Sequence, residues 1–219
     1  MVLLQPSKLK TRVRFPLPAP KQKGNIMSLI EHTQTHENED FIRGWHLSDK
    51  SICDDIINYF ENDDDKHQGT TISGCDENVK ISTDVLLKQS DVSDKYLSLL
   101  TQVVNEYAEI YPMVNYYSPW NLIENINIQK YNPTEAYFGW HTERSSGIDI
   151  NASRHMVFMT YLNDVNDDGE TEFYHQKLKI KPEKGLTLIW PADWTFTHRG
   201  CPSPSETKYI ITGWLNYTK

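Results

Sequence analysis

Apolar residues recur at helical spacing in the first half of the chain. One stripe runs from Ile52 to Phe60, and Ser48 is placed to cap the start of that helix. A second stripe begins near Asp91, repeats tyrosine and leucine every three or four residues, and is stopped by Pro112. We interpret both stripes as the buried faces of supporting helices and assign them no chemistry.

From Asn121 onwards the hydrophobic period changes from helical spacing to two. In the segment 125–131, Ile126 and Ile128 share one face and polar residues occupy the other. Further strands are predicted at residues 156–162, 171–175, 177–180, 186–190 and 208–215. Because turn signals rather than helices separate these strands, the pattern predicts a mainly β fold with supporting α-helices. The β part is expected to be an antiparallel sandwich or barrel.

Length and composition limit the class of protein. The 219 residues suit one large domain, and no apolar run is long enough to span a bilayer, which argues against a membrane protein. A formal net charge of −8 disfavours a general nucleic-acid backbone binder. The three cysteines, Cys53, Cys75 and Cys201, form neither a disulfide framework nor a CxxC metal motif, which suits a reducing compartment.

The first 26 residues differ from the rest of the chain. They contain six basic residues, four prolines and no acidic residue, without helical or strand periodicity. We therefore predict a disordered basic tail. A mis-called start is favoured over a targeting or nucleic-acid-binding arm, and Met27 would then be the true first residue.

Three potential metal ligands lie in the β-rich half. His141 and Glu143 are two residues apart, so on an extended segment both side chains point to the same side. His198 follows 57 residues later. Two imidazoles and one carboxylate leave several coordination positions open, which suits ferrous iron that also binds a chelating co-substrate and oxygen. Zinc suits the set less well, because no cysteine is near and no HExxH motif is present. A lone histidine in a strand, however, more often has an ordinary structural role.

A lysine on the last predicted strand adds to this set. Lys208 shares a face with Ile210, Thr212 and Trp214, and a buried ammonium group is costly unless an anion meets it. A dicarboxylate co-substrate would supply that anion, and Tyr131 could donate a second hydrogen bond to the same carboxylate. In the alternative interpretation, Lys208 buries only its stem and extends its ammonium group to solvent.

The order of these residues resembles the 2-oxoglutarate- and Fe(II)-dependent dioxygenases of the prolyl 4-hydroxylase-like group, with phage and bacterial members most similar. The resemblance covers roughly residues 121–217. It rests on Tyr131, His141-Thr142-Glu143, Gly169-Glu170-Thr171-Glu172-Phe173, His198-Arg199-Gly200, and the stretch from Lys208 to Trp214.

The resemblance implies a double-stranded β-helix, or jelly roll, with the N-terminal helices packed on its major sheet. We expect a single dioxygenase domain over residues 27–219, with helical support over 27–115 and a jelly-roll core over 116–219. The implied cofactors are Fe(II), 2-oxoglutarate and O2, with ascorbate as a reductant. The expected location is the cytoplasm of a bacterial or phage-infected cell.

The resemblance also implies roles for particular residues. Iron would be held by His141, Glu143 and His198. The far carboxylate of 2-oxoglutarate would be held by Lys208 and Tyr131, and Trp214 would form a wall of the pocket.

The acidic ligand departs from the pattern of the family, which uses His-x-Asp. The extra methylene of Glu143 moves its carboxylate by about a bond length, whereas metal sites tolerate about 0.2 Å. We interpret this as a variant active site, with an inactive enzyme as the alternative. The segment Gly169 to Phe173 also lacks one glycine of the usual Gly-Gly-x-Thr pattern.

The leading functional hypothesis is hydroxylation of a peptidyl residue, foremost proline, in a protein partner. The same chemistry on a free amino acid or another small metabolite is a second hypothesis. A third is a non-catalytic jelly-roll binding module. Nucleic-acid demethylation is disfavoured by the acidic charge and by a lysine rather than an arginine at the co-substrate position.

Overall fold

Antiparallel strand pairing dominates the computed structural model, which describes residues 29–32, 41–71 and 74–218. The predicted basic tail, residues 1–26, lies outside the described residues. The strands are β1 (Ile30–Glu31), β2 (Arg43–His46), β3 (His67–Gln68), β4 (Thr83–Leu86), β5 (Trp120–Leu122), β6 (Asn127–Tyr131), β7 (Arg154–Tyr161), β8 (Thr171–Phe173), β9 (Leu178–Ile180), β10 (Leu186–Pro191), β11 (His198–Gly200) and β12 (Lys208–Tyr217). The α-helices are α1 (Ser51–Asn62) and α2 (Asp91–Ile110), and short 3-10 helices cover Pro112–Asn115, Ile150–Ser153 and Trp194–Phe196.

The strands form two antiparallel sheets. The larger sheet has the order β1-β2-β10-β7-β12-β6-β4-β3, with β5 also paired to β12. The smaller sheet has the order β11-β8-β9. Residues of both sheets line one cavity of about 1140 Å³.

Strand β12 shows how the pattern of the sequence divides the two faces of the larger sheet. Ile211 and Leu215 belong to the apolar core that also contains the buried stripes of both α-helices. The alternate residues Lys208, Thr212 and Trp214 line the cavity instead. The side-chain period of two along a strand produces this division.

The helices pack on the face of the larger sheet that is opposite to the cavity. In α2, the buried side chain of Tyr96 reaches the sheet, and its hydroxyl lies 2.9 Å from Thr160 Oγ1. Ser90 caps α2, because its hydroxyl accepts a hydrogen bond from the backbone N–H of Ser93. The helix therefore begins at Asp91, where the hydrophobic stripe predicted its start.

Two features of the N-terminal half differ from the sequence expectation. Ser48 does not cap α1; Lys50 precedes the helix without a side-chain capping bond, and the Ser48 hydroxyl donates to Gln102. The predicted helical layer also contributes β2 and β4 to the larger sheet. Strands of four residues are too short to show a clear period of two in the sequence. They form because they pair with strands that are distant in the sequence.

Candidate metal centre

A backbone bridge between distant segments brings two predicted ligands together. His141 N–H donates to the carbonyl of His198 at 3.0 Å, and His198 N–H donates to the carbonyl of His141 at 2.9 Å. The two imidazole rings consequently lie 4.3 Å apart between their centroids. This bridge joins β11 to the segment that precedes Glu143.

Each of these histidines is oriented by the carbonyl oxygen two residues before it. His141 Nδ1 lies 2.9 Å from Gly139 O, and His198 Nδ1 lies 2.9 Å from Phe196 O. A carbonyl oxygen only accepts hydrogen bonds, so Nδ1 carries the proton in both rings. The lone pair of each Nε2 is then free to bind a metal ion, a common arrangement for metal-ligating histidines.

Glu143 completes the group. Its Oε1 lies 3.6 Å from His141 Nε2 and 3.4 Å from His198 Nε2. One ligand atom from each residue lies within 4.8 Å of the others, and the part of the chain that the structure describes contains no second group of this kind. The donor set of two nitrogens and one oxygen can hold a single ion and fits ferrous iron.

The protonation states of the group also favour metal binding. Burial alone would raise the pKa of Glu143, but the proximity of the imidazoles of His141 and His198 outweighs this effect and holds that pKa well below its usual range. Burial, with the adjacent His198, lowers the pKa of His141. An ionised carboxylate and a neutral imidazole are the forms that ligate metals.

Aromatic side chains enclose the two histidines. The Tyr137 ring stacks on His141 at 3.6 Å between centroids with an interplanar angle of 9°. The buried rings of Phe173 and Trp190 pack against His198 at 5.5 and 5.1 Å. These contacts restrict the orientation of the imidazoles and exclude water from one side of the group.

Lys208 is buried in the same cavity without an acidic partner. It is 4% exposed, and its Nζ donates to the carbonyls of Gly169 at 2.7 Å and Cys201 at 3.1 Å. No carboxylate among the described residues forms an ion pair with it. Burial lowers the pKa of Lys208 to about 8. A bound anion would compensate this charge, so the arrangement fits a carboxylate ligand.

Tyr131 lies against Lys208 with its ring, whose centroid is 5.3 Å from Nζ. Its hydroxyl donates to Gln129 Oε1 at 2.6 Å. A hydrogen bond from this hydroxyl to a co-substrate therefore stays a prediction, and it requires the hydroxyl to turn away from Gln129.

The sequence predicts Tyr161 at the mouth of the pocket and assigns no pocket role to Thr171. The two residues line the cavity, and the Tyr161 hydroxyl donates to Thr171 Oγ1 at 2.6 Å. Thr171 lies two residues after Gly169, whose carbonyl accepts from Lys208. The alternation of β7 agrees with this position, because Tyr161 shares a strand face with Met159, which also lines the cavity.

Trp214 also lines the cavity, but its polar contact is with the candidate metal ligand. The indole Nε1 donates to Glu143 Oε2 at 2.8 Å. The guanidinium carbon of Arg154 lies 3.6 Å from the centroid of the indole ring. The structure therefore adds a direct contact with Glu143 to the predicted role of Trp214 as a pocket wall.

Comparisons with known proteins agree with this geometry. Residues 126–216 match the model of the 2OG-Fe(II) oxygenase superfamily. The multifunctional procollagen lysine hydroxylase and glycosyltransferase LH3 is 24% identical to this chain over 176 residues, in both rat and human. That match covers 78% of this chain but only 22% of the rat protein and 23% of the human protein.

Several solved structures share the fold. The viral collagen prolyl hydroxylase of Paramecium bursaria chlorella virus 1, in complex with 2OG, has a TM-score of 0.59 at 18% identity and covers 82% of this chain and 98% of its own. A Pseudomonas putida prolyl-4-hydroxylase has a TM-score of 0.65 at 14% identity, covering 81% of this chain and 94% of its own. A Trichoplax adhaerens prolyl hydroxylase, in complex with a hypoxia inducible factor peptide fragment, gives 0.65 at 14% identity, covering 84% and 87%. The predicted mainly β, jelly-roll fold class is confirmed.

In the described residues, no helix has the length and apolar character needed to cross a membrane.

Proposed function

We propose that this chain is a 2-oxoglutarate- and Fe(II)-dependent oxygenase that hydroxylates an unactivated C–H bond of a peptidyl residue, with proline as the preferred residue. The observation that carries this proposal is one cavity that contains both a two-histidine, one-carboxylate group and a buried lysine without an acidic partner. A metal ion and a dicarboxylate are the ligands that these two features fit.

His141, Glu143 and His198 are the proposed iron ligands. When bound there with 2-oxoglutarate and O2, ferrous iron supplies the oxidation that gives succinate and CO2 and places the second oxygen atom in the substrate C–H bond. No side chain needs to act as a general acid or base. The side chains of the cavity instead bind and orient the iron and the co-substrate, and they exclude water. Ascorbate is expected to keep the iron ferrous.

Lys208 is the proposed anchor for the far carboxylate of 2-oxoglutarate. A carboxylate would form an ion pair with its ammonium group, and its present partners, two neutral carbonyl groups, do not provide that opposite charge. The hydroxyls of Tyr161 and Thr171 lie at the same end of the cavity and offer further hydrogen bonds. The co-substrate is thereby held with one end at Lys208 and the other near the iron ligands.

A row of aromatic residues that starts at the cavity and extends away from it favours a polypeptide over a free amino acid. We name Trp140, Tyr174, His175 and Trp194 the aromatic platform. Successive rings are in edge-to-face contact at 5.1, 5.2 and 5.7 Å between centroids. Three of them are well exposed, Trp140 at 40%, Tyr174 at 48% and Trp194 at 65%. Exposed aromatic surface of this kind marks an interaction site.

The aromatic platform begins beside the proposed iron ligands. Trp140 lines the cavity and directly precedes His141 in the chain. Arg199, which follows His198, lies over the Trp140 ring at 4.4 Å, and Lys177 lies over Tyr174 at 4.5 Å. A free amino acid bound in the cavity would leave Trp194 uncovered, whereas residues flanking a peptidyl target can reach it. Aromatic surfaces bind proline-rich chains well, because these are already extended before binding.

Truncation of the aromatic platform is expected to weaken polypeptide binding. We predict that Trp194→Ala raises KM for a peptide substrate on the order of 10-fold, since exposed tryptophans often contribute more than 1 kcal/mol to binding. The apparent KM for 2-oxoglutarate should change less than that for the peptide. Succinate release, measured at varied concentrations of each substrate, separates the two constants. Tyr116→Ala is the matched control, because Tyr116 is an exposed aromatic that packs on Tyr117 and lies outside the aromatic platform. An equal KM for the peptide in the unmodified protein, in Trp194→Ala and in Tyr116→Ala would contradict docking of the peptide on the aromatic platform.

Peptidyl lysine is the second candidate, favoured by the sequence match to a procollagen lysine hydroxylase. Proline is placed first because the structural neighbours include prolyl hydroxylases of viral, bacterial and animal origin.

Mass spectrometry after incubation with host-cell peptides, Fe(II), 2-oxoglutarate, ascorbate and 18O2 tests the proposed function. We expect peptides that gain one labelled oxygen atom on proline, and none with the His198→Ala protein. Labelled lysine would support the second candidate instead. Label only in free amino acids would contradict a polypeptide substrate. Absence of both label and succinate would contradict catalysis and favour a non-catalytic module.

A further inference from the structure

The two carboxylate oxygens of Glu143 have different surroundings. Oε1 faces the imidazoles of His141 and His198, whereas Oε2 accepts a hydrogen bond from Trp214 Nε1. We propose that Trp214 and Arg154 are positioning residues that hold Glu143 with only Oε1 directed at the metal. This inference rests on the proposed iron site and goes beyond it, because it assigns the device that lets a glutamate serve there.

The contact with Trp214 restricts rotation of the carboxylate. The N···O distance is 2.8 Å, and an indole has one N–H and no acceptor atom. The bond therefore requires an acceptor oxygen at that position. A turn of the carboxylate that brought Oε2 to the metal would break the bond and leave a partly buried donor without a partner.

Arg154 supports the same arrangement from the face of the indole ring. Its guanidinium covers the Trp214 ring, donates to the backbone carbonyl of Glu143 at 3.0 Å and lies 3.6 Å from Oε2. Arg154 is in turn fixed by Glu124, which accepts from its Nε at 2.9 Å and from Nη2 at 2.6 Å. Asn216 donates to the same Glu124 at 2.8 Å.

A sheet irregularity places Arg154 beside Trp214. The β7–β12 register pairs Leu215 with Met156 but Asn216 with Arg154, so one extra residue of β7 lies in the ladder. Such bulges redirect side chains near functional sites. Here the bulge moves Arg154 one residue nearer to Trp214 than a regular ladder would.

The contacts from Trp214 and Arg154 have a functional consequence because glutamate has a longer side chain than aspartate. A glutamate can reach a metal with one oxygen or with both, and a second metal–oxygen bond would occupy a position needed by the co-substrate or by oxygen. The indole occupies Oε2 and so favours ligation through Oε1 alone. The shorter aspartate cannot span both the metal position and the indole in the same way, so the effect of Trp214 should depend on Glu143.

A double-mutant cycle on Mn(II) affinity tests this dependence in metal-binding measurements without 2-oxoglutarate or oxygen. We expect Trp214→Phe to lower affinity about 10-fold or more, a typical effect of losing a residue that orients a ligand. In a Glu143→Asp background the same change should alter affinity less than about twofold. The Co(II) absorption spectrum should shift with Trp214→Phe only when Glu143 is present, because only then does the number of bound oxygens change.

Two further variants serve as an independent test and as a control. Glu124→Gln weakens the anchor of Arg154 from outside the indole contact and is expected to lower Mn(II) affinity in the Glu143 background, even where Trp214→Phe fails to fold. Trp120→Phe is the matched control, because its indole donates to Val114 and Asn115 instead. Equal losses in both backgrounds, or no loss from either Trp214→Phe or Glu124→Gln, would overturn the inference. Absence of metal binding by the unmodified chain would instead refute the proposed iron site itself.

Discussion

His198→Ala is expected to reduce succinate release from 2-oxoglutarate on the order of 1000-fold, because the metal then loses one of its three protein ligands. The remaining pair, His141 and Glu143, lies on one short segment and cannot surround an ion from two sides. Bound iron, measured on the same protein, should fall in parallel with turnover. The loss is therefore one of metal binding and not of substrate recognition.

His155→Ala is the appropriate control for this change. His155 is a partly buried histidine of β7 whose Nε2 contacts the carbonyl of Val114 and whose ring stacks on Tyr217, outside the cavity. We expect it to affect stability more than turnover. Full activity of His198→Ala would refute the ligand assignment, and equal inactivation by His155→Ala would show that the loss reflects folding.

Lys208→Ala is expected to raise the apparent KM for 2-oxoglutarate on the order of 100-fold. Truncating one member of a buried, hydrogen-bonded charge pair costs about 2–5 kcal/mol, and about 2.7 kcal/mol corresponds to a factor of 100. Iron affinity in the absence of 2-oxoglutarate should remain, because Lys208 Nζ donates its hydrogen bonds to the carbonyls of Gly169 and Cys201 and not to an iron ligand. Initial rates at varied 2-oxoglutarate, together with Fe(II) titration, give both quantities.

Tyr131→Phe provides the comparison for Lys208. The Tyr131 hydroxyl already has Gln129 as a partner, so its removal is expected to raise KM less than the loss of the ammonium group. An unchanged 2-oxoglutarate KM in Lys208→Ala would remove this lysine from the anion site. Loss of iron binding in the same variant would indicate a role in the metal centre instead.

The alternation of the last strand allowed much of the cavity to be predicted from sequence. Lys208, Ile210, Thr212 and Trp214 were placed on one face, and all four line the cavity. The apolar stripe of α2 and the end of this helix before Pro112 could also be predicted, because helix periodicity extends over many residues. Local patterns of this length depend little on distant partners.

The features that sequence did not reveal depend on non-local contacts. The backbone bridge between His141 and His198 joins residues 57 positions apart, and strand spacing alone does not specify it. The contact of Trp214 with Glu143 likewise joins residues 71 positions apart. Strand β2 was not predicted either. Its Gly44 packs so closely against Leu188 that a larger side chain would clash, and this requirement leaves no hydrophobic pattern in the sequence.

Glu143 is the point at which the sequence raised a doubt and the structure offers a physical answer. The His-x-Asp pattern of the family does not explain how the site accommodates the extra methylene of Glu143. The contacts of its carboxylate, with the imidazoles on one oxygen and Trp214 on the other, accommodate the longer side chain. The geometry therefore favours a working variant of the site over an inactive one.

The most direct test of the central claim is an anaerobic titration of the metal-free protein with Fe(II), followed by 2-oxoglutarate. We predict one ferrous ion per chain and then a visible charge-transfer absorption as 2-oxoglutarate chelates the iron, with both signals lost in His141→Ala and His198→Ala. Failure to bind iron, or an undiminished absorption in either histidine variant, would contradict the account.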